Sequence, residues 1–293
     1  KAIECRACQV TMTYHAEGRR LVCHYCGGTS GVPDVCSSCG GAKLERYGVG
    51  TQRVEETLKQ QFPDASVLRM DVDTTRSKGA HDQILESFRR GEADILLGTQ
   101  MVAKGLDFPR VTLVGVISGD TAIHLPDFRA GERTFQLLVQ VSGRAGRGEV
   151  PGEVIVQTYL PDGEALGFAR RHDFLSFASR ELEVRKGLGY PPFGRLALLL
   201  FRGRDEDEVV QSAERCEMRL RPHLPPSVRI LGPVQAPIGR IRGYFRWQMM
   251  LQSASPAKLN ATARDAQARF GDRKGHRRSG VTLDIDMDPT SLL

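Results

Sequence analysis

Six of the seven cysteines fall in the first 39 residues, as three C-x-x-C pairs at Cys5/Cys8, Cys23/Cys26 and Cys36/Cys39. Two thiolates separated by two residues can turn toward one ion, and Zn²⁺ takes four such ligands in a tetrahedron. Gly27 and Gly40 directly follow two of the pairs, and glycine there lets the backbone bend tightly behind a metal. A segment this short cannot hold itself together by apolar burial. A structural zinc, worth roughly 10–16 kcal/mol, replaces the missing core. A disulfide framework is the competing reading, but the long remainder of the chain does not fit a small secreted scaffold.

Six ligands do not divide into fours. Cys5/Cys8 and Cys23/Cys26, fourteen residues apart and joined by the hairpin-like stretch VTMTYHAEGRRLV, make one complete site. Pairing Cys23/Cys26 with Cys36/Cys39 across nine residues is also possible and would strand Cys5/Cys8. Either way half a site is missing, which predicts a further pair upstream of Lys1. His15 and His24 could complete a site but read as surface residues, and Cys216, alone in VVQSAERCEMRL, reads as a core thiol.

Two other segments carry chemistry. One is a buried strand, ILLG, that runs into a Gly98-Thr99-Gln100 turn and a Lys104-Gly105-Leu106-Asp107 loop. The other is Gln140-Val141-Ser142-Gly143-Arg144-Ala145-Gly146-Arg147, at the end of a helix. Arginines spaced by three, with small residues between them, can bring two guanidinium groups onto a phosphate chain from one side. Alone, the second segment is equally compatible with a basic loop. Its place in an α/β domain, downstream of the first segment, makes it far more specific.

The elements that must position these residues follow from periodicity. Thr51–Phe62 reads as a helix ended by Pro63, Val67–Met70 as a strand and Gly79–Arg89 as a helix. Ile95–Leu97 and Val111–Ile117 read as buried strands, Glu132–Gly143 as a helix and Gly152–Thr158 as a strand. This alternation predicts an α/β lobe with a parallel sheet covered on both sides. A helical linking region follows. After Tyr190-Pro191-Pro192 the order β-α-β-β-α-β, with an inserted basic loop around Arg240 and Arg242, predicts a small α+β sandwich of ferredoxin-like type. The expected domains are therefore a zinc module over 1–46, the α/β lobe over 47–160, a helical linker over 161–190 and an α+β domain over 191–293.

A net charge of +6 and a pI near 9.0 point to an acidic polymer as partner. Ten basic residues between Arg240 and Arg278, against Asp265 and Asp272 only, predict a patch. Arg240-Ile241-Arg242-Gly243-Tyr244-Phe245-Arg246-Trp247 interleaves cations with aromatics, as phosphate contact with base stacking requires. Arg240, Arg242 and Arg246 are the expected DNA contacts there, with Trp247 a core residue of its strand. No apolar run is long enough to cross a membrane, and a soluble protein of the cytoplasm is expected.

The segments GTQMVAKGLDF and QVSGRAGR resemble the fifth and sixth motifs of superfamily 2 helicases, both in the second RecA-like lobe. DVDTT (Asp71–Thr75), LPDFRAGERTFQLL (Leu125–Leu138), YPPF (Tyr190–Phe193), LGPV (Leu231–Val234) and DIDMDP (Asp284–Pro289), together with the cysteine module, narrow the resemblance to the PriA family of replication-restart helicases. It covers nearly the whole chain.

That resemblance implies an ATP-dependent DNA helicase that binds stalled or abandoned forks, unwinds DNA and reloads the replicative helicase. The implied partners are forked and single-stranded DNA, single-stranded DNA-binding protein, other primosome proteins and the replicative helicase, with the protein itself a monomer. It implies two zinc ions: Cys5, Cys8, Cys23 and Cys26 hold one, while Cys36 and Cys39 await a pair outside this chain. Gln140, Arg144 and Arg147 are implied to face the ATP γ-phosphate, with Gly105, Asp107 and Gly143 among the nucleotide-binding residues and Asp107 coupling that cleft to the DNA track. Thr99, Gln100 and Lys104 are implied to meet the DNA strand. No G-x-x-x-x-G-K-[ST] loop and no DEAD-like box occurs in these residues, so this chain alone is expected not to hydrolyse ATP. Either an ATP-binding lobe lies upstream, or the protein is a non-catalytic fork-binding and primosome-loading module. The intact fifth and sixth motifs favour the first. A zinc-ribbon transcription factor would leave the α/β lobe unexplained.

Overall fold

The computed structural model of the protein describes residues 3–15, 18–23, 25–35, 39–41, 50–71, 74–75, 77, 79–99, 102, 108–120, 123, 125–143, 151–271 and 280–292. The chain divides into two units. Lys1–Glu45, Pro126–Phe128 and Ser179–Leu293 form one; Arg46–Leu125 and Arg129–Ala178 form the other.

The cysteine module carries a three-stranded antiparallel sheet, β1 (Thr13–His15), β2 (Arg20–Val22) and β3 (Thr29–Gly31), in sequence order. The expected hairpin between the first two cysteine pairs is present, with Thr13 opposite Val22 and His15 opposite Arg20. A third strand extends it after Cys26.

The second unit alternates α1 (Thr51–Gln61), β4 (Val67–Met70), α2 (Ala80–Arg90), β5 (Ile95–Gly98), β6 (Leu113–Val116), α3 (Ala130–Ser142) and β7 (Glu153–Val156), followed by α4 (Glu164–Arg170). Pro63, which cannot continue a helix, lies just beyond α1. Gly91 closes α2 in the left-handed region at φ 79°, where its N–H reaches the Phe88 carbonyl and the Glu92 N–H that of Ser87. The strands form two parallel pairs, β4 with β5 and β6 with β7. Met70, Leu85 and Phe108 make the core beside the first pair. Beside the second, Phe135 of α3 stacks on Phe177 with centroids 4.1 Å apart, against Leu138, Ala165 and Ala169.

For β6 and β7 the expectation of cover on both sides needs correction. Burial alternates along β6 and β7, with Val156 packed toward Phe135 and Leu138, while Leu113 (57%) and Ile155 (55%) are exposed on the other face. A β-strand sends successive side chains to opposite faces. A continuous apolar run therefore signals two-sided burial only where both faces have something to pack against.

After α5 (Phe174–Leu188), the C-terminal part contains β8 (Arg195–Gly203), α6 (Glu206–Leu220), β9 (Val228–Ile241), β10 (Tyr244–Ser253), α7 (Pro256–Gly271) and β11 (Thr282–Met287). The sheet order β11-β8-β10-β9, antiparallel throughout, is the ferredoxin-like arrangement expected. Asp205 caps α6 by accepting the Glu208 N–H at 2.9 Å. Three acidic residues in the first turn complement the helix dipole. Leu199, Phe201, Met249 and Leu251 of the sheet meet Val209, Cys216 and Leu259 of the helices. Cys216 is the core thiol expected, its pKa raised to about 11 by burial.

Two sequence expectations are corrected here. The inserted basic loop does not exist as a loop: β9 runs on to Ile241, placing Arg240 within the strand and Arg242 in a two-residue turn before Tyr244. The described members of the basic run do not all share one face. On β10, Phe245 and Trp247 pack on the helix-covered face, so the intervening Arg246 points to the opposite face. Lys258 and Arg264 lie exposed on α7, and Arg269 pairs with Asp265 at 2.7 Å. Arg273, Lys274, Arg277 and Arg278 lie outside the described residues. Among the described residues, no helix is long and apolar enough to cross a membrane.

Candidate metal centre

Each of the first two cysteine pairs sits on a knuckle made by its own backbone. In the first, the Cys8 and Gln9 N–H groups both reach the Cys5 carbonyl, at 3.3 and 2.8 Å. In the second, the Gly27 N–H reaches the Cys23 carbonyl at 2.8 Å. The bend behind each pair uses the left-handed region, taken by Gly27 at φ 75° and by Gln9 at φ 53°. The first was legible from the glycine. Gln9 was not, because a non-glycine residue gives little sign that it will accept that conformation.

The β1–β2 hairpin brings the two knuckles face to face. The Sγ atoms of Cys5, Cys8, Cys23 and Cys26 all lie within 4.8 Å of one another, and those of Cys5 and Cys26 are 3.6 Å apart. Four thiolates around Zn²⁺ at about 2.3 Å stand about 3.8 Å from each other, so the donors fit that ion in number, kind and spacing. Of the two pairings open in the sequence, the structure has the first. Cys8 and Cys23 are fully buried and Cys5 nearly so. All the described cysteines are free, so no disulfide framework is formed among them.

The thiols are unequal without a metal. Burial pushes Cys8 up to about 12, with the neighbouring sulfurs adding to it and the Arg242 N–H opposing. Burial also raises Cys5. At Cys23 burial is outweighed by the N–H groups of Cys26 and Tyr25 and by the Cys26 and Cys5 thiols, which bring it down to about 7. A divalent cation would convert all four to thiolates, since a coordinating thiol loses its proton outright. N–H groups already point at two of the sulfurs: Gly28 to Cys26 at 3.3 Å and Arg242 to Cys8 at 3.2 Å.

Among the described residues the cluster consists of these four cysteines. Cys39 is exposed. Cys36 and His24 lie outside the described residues, as does the His15 side chain.

Of the residues expected to face nucleotide or DNA in the second unit, Arg144, Arg147, Gly105, Asp107, Gln100 and Lys104 lie outside the described residues. The described ones stand where the two segments leave regular structure. Gly98 ends β5, and a Cβ there would lie 2.1 Å from Val102 Cγ2 and 2.7 Å from the Met70 carbonyl oxygen, so only glycine fits. Thr99, next to it, is exposed, and its carbonyl accepts the Val102 N–H at 3.0 Å. Gln140 is exposed on the last turn of α3, and Gly143 follows the helix with its N–H on the Val139 carbonyl at 3.0 Å.

In the first unit, the Arg240 guanidinium lies 4.4 Å over the Phe245 ring and donates to the Arg6 carbonyl at 3.2 Å. Arg246 donates to the Ile238 carbonyl at 3.1 Å, and burial lowers its pKa. Arg242 alone of the three is exposed, at the tip of the hairpin. Trp247 packs against the core, as expected.

Comparison with known proteins places these parts together. Residues 5–30 match the PriA DNA helicase Cys-rich region domain, residues 47–149 the helicase conserved C-terminal domain, and residues 186–290 the primosomal protein N C-terminal domain. The chain is 44% identical over 290 residues to the replication restart protein PriA of Bacillus subtilis, across 99% of this chain and 36% of that protein. It is 44% identical to its counterpart from Synechocystis, across 99% and 34%, and 39% identical to that of Haemophilus influenzae, across 99% and 39%. The chain thus spans a little over a third of the length of these relatives.

Proposed function

From a chain that belongs to the PriA replication-restart family, and that carries its cysteine-rich region, helicase C-terminal lobe and C-terminal domain, we propose a part in DNA replication restart. In the intact protein these residues would form one part of an ATP-dependent DNA helicase that binds stalled or abandoned forks, unwinds DNA and supports reloading of the replicative helicase. The observation that carries this reading is the unbroken order of the three family matches along one chain at 44% identity to a PriA protein. DNA, single-stranded DNA-binding protein, primosome proteins and the replicative helicase are the proposed partners, and the cytoplasm the proposed compartment.

The roles divide by chemistry. ATP and Mg²⁺, supplied with an upstream lobe, would bring the hydrolysis. Gln140, Arg144 and Arg147, at and beyond the end of α3, would meet the γ-phosphate, where guanidinium groups stabilise developing charge. Gly105, Asp107 and Gly143 would shape that cleft, while Thr99, Gln100 and Lys104 meet the DNA backbone. Arg242 would reach phosphate from the hairpin tip, with Arg240 and Arg246 beside it. The four-cysteine cluster would hold one zinc, and Cys36 with Cys39 half of a second.

ATP turnover by the full-length protein, measured with and without forked DNA, tests the proposal. DNA-stimulated hydrolysis is expected. A full-length protein that binds forks but turns over no ATP would leave a primosome-loading module in its place.

A further inference from the structure

The tip of the β9–β10 hairpin is bonded to three consecutive residues of the first cysteine knuckle. Arg240 donates from Nη1 to the Arg6 carbonyl at 3.2 Å, the Gly243 N–H to the Ala7 carbonyl at 2.7 Å, and the Arg242 N–H to Cys8 Sγ at 3.2 Å. Between them, Ile241 packs against the cluster formed by Cys5, Cys8 and Cys23. The ladder between β9 and β10 closes at the Ile241–Tyr244 pair, so neither turn N–H is used by the sheet. Both turn residues are left-handed, Arg242 at φ 51° and Gly243 at φ 83°, as in the primed two-residue turns that fit the twist of a hairpin. The turn therefore presents two free donors, and the knuckle supplies the acceptors.

Cys8 is fully buried, so no water replaces the Arg242 N–H if it is lost. A donor on a metal-bound thiolate fixes the rotamer of the sulfur and shares its charge, and such outer contacts are worth about 10–100-fold in metal affinity. We propose that the Arg242–Gly243 turn is a working part of the metal centre: it positions Cys8 for the ion, and the bound ion in turn clamps the hairpin tip. Metal occupancy is thereby communicated to a ribbon of the C-terminal domain 234 residues further along the chain. The inference rests on the four-cysteine cluster holding zinc and is independent of the replication-restart reading.

The test uses zinc-loaded full-length protein and the rate of zinc transfer to a chromogenic chelator. Arg242→Pro, which has no N–H, is expected to release zinc about tenfold or more faster than the parent. Arg242→Asn keeps the N–H and tolerates the left-handed region, and is expected to release zinc at the parental rate. Proline also forbids the φ of this turn, so a second measurement on the unaltered protein stands beside it. Amide hydrogen exchange of the peptide spanning Arg242 and Gly243 should be slow with zinc bound and fast after chelation, while peptides from β8 stay protected in both. Equal release from the parent and Arg242→Pro, release from Arg242→Asn as fast as from Arg242→Pro, or exchange at the turn indifferent to zinc, each overturns the proposal. A parent that binds no zinc overturns it too, and leaves the fork reading standing.

Discussion

Thr51 donates its hydroxyl to Asp71 Oδ2 at 2.6 Å, tying the first residue of α1 to the residue that follows β4. Asp71 is buried, and it holds Thr74 and Thr75 through both its side chain and its backbone. Its Oδ1 accepts the Thr74 N–H at 3.0 Å, its carbonyl accepts the Thr75 hydroxyl at 2.6 Å, and Arg69 lies 3.2 Å from Oδ2. The aspartate in this motif therefore has a structural use that needs no ligand.

Removing that carboxylate strands several donors where water reaches poorly. Asp71→Ala is expected to destabilise the second unit by about 1–3 kcal/mol, the usual cost of leaving buried donors unsatisfied. Urea unfolding followed by far-UV ellipticity should move to lower denaturant. Trp247, the one tryptophan of the chain, lies in the other unit, and its fluorescence transition should stay in place. An ellipticity transition unchanged from the parent would mean that the turn forms without its aspartate.

Metal analysis of the purified chain should find at least one tightly held zinc, since Cys5, Cys8, Cys23 and Cys26 complete a tetrahedral set on their own. Cys23→Ser should lose it, because a serine hydroxyl does not replace a thiolate as a ligand for this ion. Exhaustive chelation should unfold the cysteine module, where Leu21 and the ligands Cys5, Cys8 and Cys23 are the buried apolar groups among the described residues. A module that stays folded and free of metal would sink the zinc assignment.

How much of this was legible in the sequence depends on where each signal is written. Val67–Met70 and the cysteine ligand set were readable because periodicity and C-x-x-C spacing are local. The length of β9 was not. Gly232, Pro233 and Gly239 interrupt the strand pattern, yet pairing with β10, with two register shifts, carries the strand to Ile241. Here tertiary pairing overrides local propensity. The charge run from Arg240 was visible, but strand alternation and an i,i+4 ion pair dispersed it. The donor on Cys8 was invisible in principle, since it is a backbone N–H and any residue type but proline carries one.

The hairpin geometry refines the expected DNA contact. Arg240 and Arg246 are held by the Arg6 and Ile238 carbonyls, whereas Arg242 is exposed. If Arg242 reaches one phosphate, Arg242→Ala should lower the slope of log affinity against log salt by about one unit. Adding Arg240→Ala should take the reduction to at most about two. Fork binding titrated across a salt series measures both slopes. Slopes equal to the parent's would mean that the tip faces solvent.

In the protein that carries its ATP-binding lobe, Arg147→Ala or Arg144→Ala should abolish most DNA-stimulated ATP hydrolysis while DNA affinity stays near the parental value. The reason is electrostatic. A guanidinium set against the γ-phosphate acts mainly as charge builds up in the transition state, so its loss falls on turnover, by about 10³–10⁵ for residues of this kind. DNA is bound through other groups, so binding and hydrolysis should separate. Arg147→Lys should remain strongly impaired, because a compact ammonium cannot make the planar two-point contact of a guanidinium. Steady-state ATPase assays with saturating forked DNA, beside fork-binding titrations of the same variants, read both quantities. Parental turnover in both alanine variants would take these arginines out of the nucleotide cleft, leaving the Gly-Arg-Ala-Gly-Arg segment as a basic loop on an otherwise intact lobe.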